Sequence, residues 1–321
     1  MAYSARILKD SQSPHGVRLT TFEVSFPRIV LAEFNTHRVF SRNSASSRAI
    51  PISKMLARVD EDPFLPIWWG KNEKGMQASV ELDPEAQKRA REQWLLARDN
   101  AVSVVKRMQN EDIDLHKQIA NRLLEPFLWH TVIVTATEWP NFFNLRCHPA
   151  AMPEIRRIAD MMRELYVEHT PQHVGEGFWH LPLVYGDDGL PLYPQDVDDA
   201  LAIAKEWNLR DPKEGARDIL VKVSCGRCAR VSYLTHDGRR DLKDDIGLYD
   251  RLRTSGHMSP LEHAARPMTQ SEIRRYSTNY HPLEQGHGPN DGPQSPPFLG
   301  NLRGWVAHRK EFPGEAVFRP V

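Results

Sequence analysis

The stretch Asn35–Pro51, NTHRVFSRNSASSRAIP, concentrates side chains that can do chemistry. It holds one histidine (His37), three arginines (Arg38, Arg42, Arg48), two asparagines (Asn35, Asn43) and four serines (Ser41, Ser44, Ser46, Ser47) between two apolar segments. No amphipathic period explains that density. Guanidinium groups present a rigid fork of donors, and hydroxyls add single ones, so the set suits phosphate and ribose oxygens. A solvated, Ser-rich loop has the same composition. Other donors must converge on the stretch if it is to bind anything.

Three further clusters compete for attention. Cys225-Gly-Arg-Cys228 is a lone CxxC; zinc needs a second ligand pair at suitable spacing, and none follows, so a structural role is expected. Cys147 lies between Arg146 and His148, a setting that can lower a thiol pKa, but nothing else around it supports a nucleophile and a bystander is expected. His257, Glu262 and His263 fall close together in GHMSPLEH without the HExxH spacing that sets two imidazoles on one helix face. Pro260 makes that segment a turn into a strand, and no metal is expected. There is no GxGxxG or GxxxxGK[ST], so a dinucleotide would not be held in the Rossmann or P-loop manner.

The elements that must position these groups can be read from periodicity. The chain has 321 residues, enough for one large domain or two ordinary ones. Lys plus Arg balance Asp plus Glu at 42 each, which argues against a nucleic-acid coat. Three cysteines, no apolar leader and no membrane-length apolar run give the expectation of a soluble cytoplasmic protein with no membrane or nucleic-acid partner. Residues 17–26 alternate as a strand with Phe22, Val24 and Phe26 on one face. Residues 60–82 read as an irregular excursion. Asp83-Pro84-Glu85 opens a long charged helix with Leu95, Val102 and Val105 inward. Ile119, Leu123 and Leu124 mark a second helix ending at Pro126. Thr131–Thr137 is β-branched and is either a buried strand or a buried helix. Ile155, Ile158, Met161, Met162 and Leu165 form one helical stripe; Val197, Leu201 and Ala204 another, after a long loop or linker over 170–196. Asp211-Pro212 starts a third, with Ala216, Ile219, Leu220 and Val223 inside, and Leu248 and Leu252 sit in a fourth. Residues 281–299 form a Pro- and Gly-rich loop, and Leu302–Lys310 is expected to be helical.

Taken together, the pieces resemble the flavin-dependent thymidylate synthases. The family signature RHRxxSxNxxSxR is matched by Thr36-His37-Arg38-x-x-Ser41-x-Asn43-x-x-Ser46-x-Arg48, with only the first arginine lost. Asn121-Arg122 with Pro126 and Thr131 is similar to the family's segment carrying a phosphate-binding arginine. Asn141-Phe-Phe-Asn-Leu-Arg146 is similar to NFLxLR, followed by a helix bearing Glu154. Ala229-Arg-Val-Ser-Tyr233 and Gly256-His-Met-Ser-Pro-Leu-Glu-His263 are similar to RVSY and GHxTPFEH. In the family those two segments come first; here they come last. The resemblance therefore implies a permuted or two-half arrangement: 1–170 with the signature and NFFNLR, and 171–321 with ARVSY, GHxSPxEH and a C-terminal extension.

The resemblance implies an α+β fold, a central β-sheet with long flanking helices, assembled as a homotetramer with shared sites. It implies FAD, with NADPH and methylenetetrahydrofolate as co-substrates, and methylene transfer to C5 of dUMP followed by reduction to dTMP. The flavin carries the hard chemistry while the protein orients and charges the site. Arg146 becomes the catalytic candidate, stabilising charge at N3 and O4 of the pyrimidine. Glu33, Ser44, Ser46, Ser47, Arg48 and Arg122 become nucleotide ligands, and His37, Arg38, Asn43, Asn141, His257 and Ser259 flavin ligands. Thr36, Ser44, Thr135 and Thr137 stand where an Arg, an acid, an Asn and an Arg are expected, so Arg303, Arg309 or Lys310 is expected to restore charge to the flavin phosphates. Glu33 stands where a Gln is expected, which keeps methylation or hydroxymethylation of dCMP open. Two other readings stay open: a homologue that binds a nucleotide without catalysis, and a metal enzyme using His257, Glu262 and His263.

Overall fold

The structure, a computed structural model, describes residues 2–110, 112–186, 192–236, 241–278 and 296–315. It begins with a hairpin. Strands β1 (Ser4–Gln12) and β2 (Arg18–Pro27) pair antiparallel. Between them Gly16 takes φ 78°, a left-handed turn position that glycine adopts without strain. As the alternation requires, Phe22, Val24 and Phe26 share a buried face. Helix α1 (Leu31–Phe34) leads to β3 (Ser41–Ser44), then α2 (Ile52–Glu61), α3 (Pro84–Arg107) and α4 (Lys117–Ala120). Next comes β4 (Trp129–Ala136), which pairs antiparallel with both β2 and β3. The Thr131–Thr137 run is thus a strand over Thr131–Ala136. Lying between two neighbours, it buries Val132, Ile133 and Val134 completely.

Helices α5 (Trp139–Arg146) and α6 (Pro153–Glu168) follow, then β5 (Gln172–His173), parallel to β1, so the sheet order is β3-β4-β2-β1-β5. The expected stripe of α6 packs on the sheet: Ile155, Ile158 and Met162 join the aromatic core of Phe22, Phe34, Trp139 and Phe142, with Met161 and Leu165 half-buried beside them. A second helical group, α7 (Pro194–Glu206), α8 (Pro212–Arg230) and α9 (Leu242–Thr254), has its own core. Short elements close the chain: β6 (Ala265–Pro267), α10 (Gln270–Thr278), β7 (Phe298–Leu299), β8 (Leu302–Arg303) and β9 (Trp305–Ala307).

Local signals act where expected. The Asp83 carboxylate accepts from the Ala86 amide at 2.9 Å to start α3, and Asp211 accepts from Lys213 and Glu214 to start α8, each followed by proline. Val102 and Val105 of α3 are buried while Leu95 is half-buried. Two expectations need correcting. Leu302–Lys310 is not a helix: Gly304 takes φ 65°, which breaks any helical run, and Trp305 is pulled into β9 against β6 and the core around Leu19. The helix through Ile119 and Leu123 shrinks to α4 and a 3-10 stretch, Asn121–Phe127, that buries Leu124 and exposes both of those side chains. Most of the loop expected over 281–299 lies outside the described residues; Phe298–Leu299 forms β7.

The second helical group is fixed by a buried charge network. Arg227, fully buried in α8, donates from Nη1 and Nη2 to Asp196 (2.6 and 3.0 Å), from Nε to Asp245 (3.0 Å) and from Nη1 to the Leu183 carbonyl (3.0 Å). Arg230 Nε meets the other Asp245 oxygen at 2.6 Å. Removing one member leaves uncompensated charge in the interior, so Arg227→Leu is expected to cost about 3–5 kcal/mol. Urea unfolding followed by far-UV circular dichroism checks this; a loss below about 1 kcal/mol would refute it. Cys225 and Cys228 lie inside the same helix, and burial pushes both thiols up, which suits packing rather than redox or metal chemistry.

A buried row of hydrogen bonds ties the sheet to the segment before β6. Ser11 Oγ meets His180 Nδ1 (2.8 Å), His180 Nε2 meets Thr21 Oγ1 (2.8 Å), Thr21 meets Thr135 Oγ1 (2.7 Å), and Thr135 meets His263 Nδ1 (2.8 Å). All five residues are sealed from solvent. Among the described residues, no helix is long and apolar enough to cross a membrane.

Candidate functional site

After β3 the chain stays against the sheet. The Ala45 amide donates to Thr131 O (2.9 Å), the Ser46 amide to Ser232 O (3.0 Å), and Asn121 Nδ2 donates to the carbonyls of Ser47 (2.7 Å) and Ile50 (3.0 Å). These bonds hold Ser44–Ala49 as one wall of a cleft of about 860 Å³. Asn43, Ser44, Ser46, Ser47 and Arg48 line it from one side, Arg122 from the 3-10 stretch, and His257 and Ser259 from the segment after α9. Eight expected site residues from three distant parts of the chain therefore meet in one place.

Behind the wall sits Glu125, a residue the sequence offered no reason to choose. Its Oε1 accepts from Ser47 Oγ (2.7 Å), Arg122 Nη1 (2.9 Å) and Arg28 Nη2 (3.4 Å). Arg28 and Arg42 also line the cleft, with Ser232 and Tyr233 opposite. Arg28 follows Pro27 as an isolated cation, and nothing in its neighbourhood marks it in the sequence. Among the described residues the lining has four arginines and no acidic side chain. Such a wall raises the local concentration of anions and suits a phosphate monoester.

Within the same chain, Arg146, Glu33 and His37 do not line this cleft. Arg146 ends α5, which packs through Phe142 onto Phe34 and Phe40 rather than onto β3. There Arg146 Nε donates to His37 Nε2 (2.9 Å), Nη2 donates to Thr36 Oγ1 (3.0 Å), and Nη1 pairs with Glu33. His37 is buried between Phe40 and Phe142, with ring centroids 5.5 and 4.9 Å away. Burial, reinforced by the positive charges of Arg146 and Arg42, pushes its pKa down to about 4, so the neutral ring accepts from Arg146 at pH 7.

The two regions adjoin through Arg42. It lines the cleft and also a shallow surface formed with Ala32, Asn35, Thr36 and Arg38, while Nη1 approaches the Phe34 and His37 carbonyls at 3.4 and 3.3 Å. Arg38 is exposed on that surface, and Asn141 is exposed on α5, lining neither region. Thr135 is consumed by the buried row. Thr137 Oγ1 accepts from the Arg303 amide (3.1 Å). Of the three cations expected to restore charge, Arg303 pairs with Glu138 (2.9 Å), Arg309 with Glu262 and Glu315 (2.6 Å each), and Lys310 with Glu315. Cys147 is half-buried, and burial with Asp160 beside it pushes its thiol up to about 11, the opposite of an activated nucleophile. His257, Glu262 and His263 diverge: the first lines the cleft, the second binds Arg309, the third is buried on Thr135.

A family model described as thymidylate synthase complementing protein matches residues 6–172, about half the chain. The chain belongs to that family. The matched span carries the hairpin, the signature loop, Arg122 and Arg146. The ARVSY and GHMSPLEH segments lie beyond it, yet Ser232, Tyr233, His257 and Ser259 stand beside the signature in space. No curated protein matches the chain. Among solved structures, a UMP/dUMP methylase PolB from Streptomyces cacaoi bound with 5-bromo-UMP aligns at 16% identity over 52% of this chain and 89% of its own, TM-score 0.42. The flavin-dependent thymidylate synthase ThyX from Helicobacter pylori, complexed with FAD and dUMP, aligns at 18% identity over 46% of this chain and 67% of its own, TM-score 0.31.

Proposed function

We propose that the chain is a flavin-dependent thymidylate synthase, transferring the methylene of methylenetetrahydrofolate to C5 of dUMP to form dTMP, with FAD reduced by NADPH. The observation that carries this reading is the convergence of Ser46, Ser47, Arg48 and Arg122 on one anion-receptive cleft closed by His257 and Ser259. The phosphate of dUMP sits against Arg48 and Arg122, with Ser46 and Ser47 donating to it and Glu125 holding Ser47 and Arg122 in place. Arg146 stabilises negative charge at N3 and O4 of the pyrimidine, which makes C5 nucleophilic without a protein nucleophile. Since Arg146 lies on the neighbouring surface of its own chain, it reaches the base from a partner subunit of a homotetramer.

The shallow surface fits a flavin's charged part: Arg38 and Arg42 present two guanidiniums beside Asn35 and Thr36, next to the nucleotide cleft. Asn43, His257 and Ser259 would hold FAD from the cleft side, with Asn141 on α5 and His37 behind Arg146. When bound, reduced flavin supplies the hydride that completes the methyl group.

One observation favours a second reading, methyl or hydroxymethyl transfer to dCMP. Glu33 pairs with Arg146 and places a carboxylate beside the group that faces the base, and a carboxylate accepts from the exocyclic amine of cytosine. The test uses the purified chain. A flavin absorbance spectrum and single-turnover conversion of dUMP to dTMP are expected. Conversion of dCMP instead selects the second reading. A colourless protein that binds dUMP without product would overturn both in favour of a non-catalytic homologue.

A further inference from the structure

We propose that a second pocket, at the opposite edge of the sheet, binds a planar heteroaromatic polyanion. The pocket has about 660 Å³, within the range that encloses small ligands, and lies between the loop after β5 and helices α7 and α8. Its ring-binding surface is Phe178, Trp179 and Tyr185. Lys213 and Arg217 supply its charge, Lys9 lies at its buried end with Nζ donating to Gln172 Oε1 (2.9 Å) and Gly186 O (3.1 Å), and among the described residues no carboxylate lines it. Rings and cations are already interleaved. The Arg217 guanidinium lies 5.1 Å from the Phe178 ring centroid and donates to Gly177 O at 3.1 Å, and Lys9 Nζ lies 5.8 Å from the Tyr185 centroid.

Phe178, 59% exposed, stands at the mouth of the pocket. The loop that carries these rings also contains Leu183 at φ 64°, a strained conformation for a bulky residue, held by the buried Arg227 on its carbonyl. Lys213 and Arg217 stand one turn apart on the exposed face of α8, suitably placed for two negative charges on one ligand.

The site is separate from the nucleotide cleft. The cleft uses β3 and this pocket uses β1 and β5, at opposite ends of the sheet order. At about 4.8 Å per strand, four steps separate the two edges by roughly 19 Å. Most of its lining also lies beyond the span the family model matches, so the proposal stands whether or not the synthase reading does.

A stacked ring with two or more negative charges describes both a pterin carrying a glutamate tail and a nucleoside triphosphate. Equilibrium dialysis of the full chain with folic acid and, separately, with dTTP, each with saturating dUMP present to occupy the nucleotide cleft and scored as the sites lost in the variant, distinguishes them. One probe is expected to bind the wild type and to bind at least about tenfold more weakly to Lys213→Glu/Arg217→Glu, both exposed positions, while dUMP binding is unchanged. Failure of both probes to bind, or equal affinity in the variant, would overturn the proposal.

Discussion

Lowering the pH from 7 to 5 is expected to remove on the order of 6 kcal/mol of folding stability. The cause is a set of buried histidines that the fold keeps neutral. Burial pushes His130 and His263 down to about 3, with Arg28 adding to the effect on His130, and it pushes His180 well below the usual imidazole range, with Lys9 and His263 adding to that. Each is depressed in the folded state and ordinary, near 6.5, in the unfolded chain. The unfolded state therefore takes up protons first, so stability is complete above 6.5 and drains as pH falls, until the folded pKa is reached. His130, His263 and His37, the last held down to about 4 by burial with Arg146 and Arg42 adding to it, each cost about 1.4 kcal/mol per pH unit, or about 2 kcal/mol by pH 5. Those three together approach the whole stability of an ordinary domain, about 5–15 kcal/mol. His180 shifts in the same direction and adds to the slope. Carboxylates held low by partners, such as Glu272 at about 2 beside Arg266, contribute only below about 4.5, while Glu154 and Asp245, raised by burial, take up protons first in the folded state and offset part of the histidine loss. Urea titrations at pH 7, 6 and 5 measure the effect. A midpoint that does not move over that range would contradict the neutral-histidine account.

Replacing Arg48 and Arg122 together with alanine is expected to weaken dUMP binding by about 10²–10⁴-fold. Each charge-assisted contact to a phosphate is worth about 1.5–3 kcal/mol, and because both arginines share one phosphate their losses couple, which sets the width of the expected range. Arg48 is exposed and the Arg122 side chain is 46% exposed, so neither supports the core. Isothermal titration at two salt concentrations reads both affinity and the number of charges involved. The single variants should fall between, and their binding should depend less on salt than that of the wild type. Wild-type affinity in the double variant would mean that the phosphate does not occupy this cleft.

The chemistry of the site was more legible in the sequence than its partition. Ser46, Ser47 and Arg48 stood out by type and spacing and Arg122 only through the family resemblance, and they meet because Asn121 binds the carbonyls of Ser47 and Ile50. Arg146 and His37 were equally visible, but spacing cannot say on which side of Arg42 a side chain falls. That is decided by how Phe142 seats α5 on Phe34 and Phe40. Caps such as Asp83 and Asp211 are local, so they read directly. Glu125 and Arg28 gain meaning only from partners at long range, and the strands around Gly304 depend on Trp305 finding the core of Leu19. No local pattern encodes such pairings.

The sealed row from Ser11 to His263 carries a constraint on proton placement. Each hydroxyl and each imidazole has one hydrogen to spend along it, so the sense of one bond dictates all the others. If His263 holds its hydrogen on Nδ1, then His180 must do the same; if His263 holds it on Nε2, His180 follows. The two rings, on either side of a pair of threonines, are thus bound to the same tautomer. Nitrogen-15 chemical shifts of the two imidazoles should report a matched pair, never a mixed one.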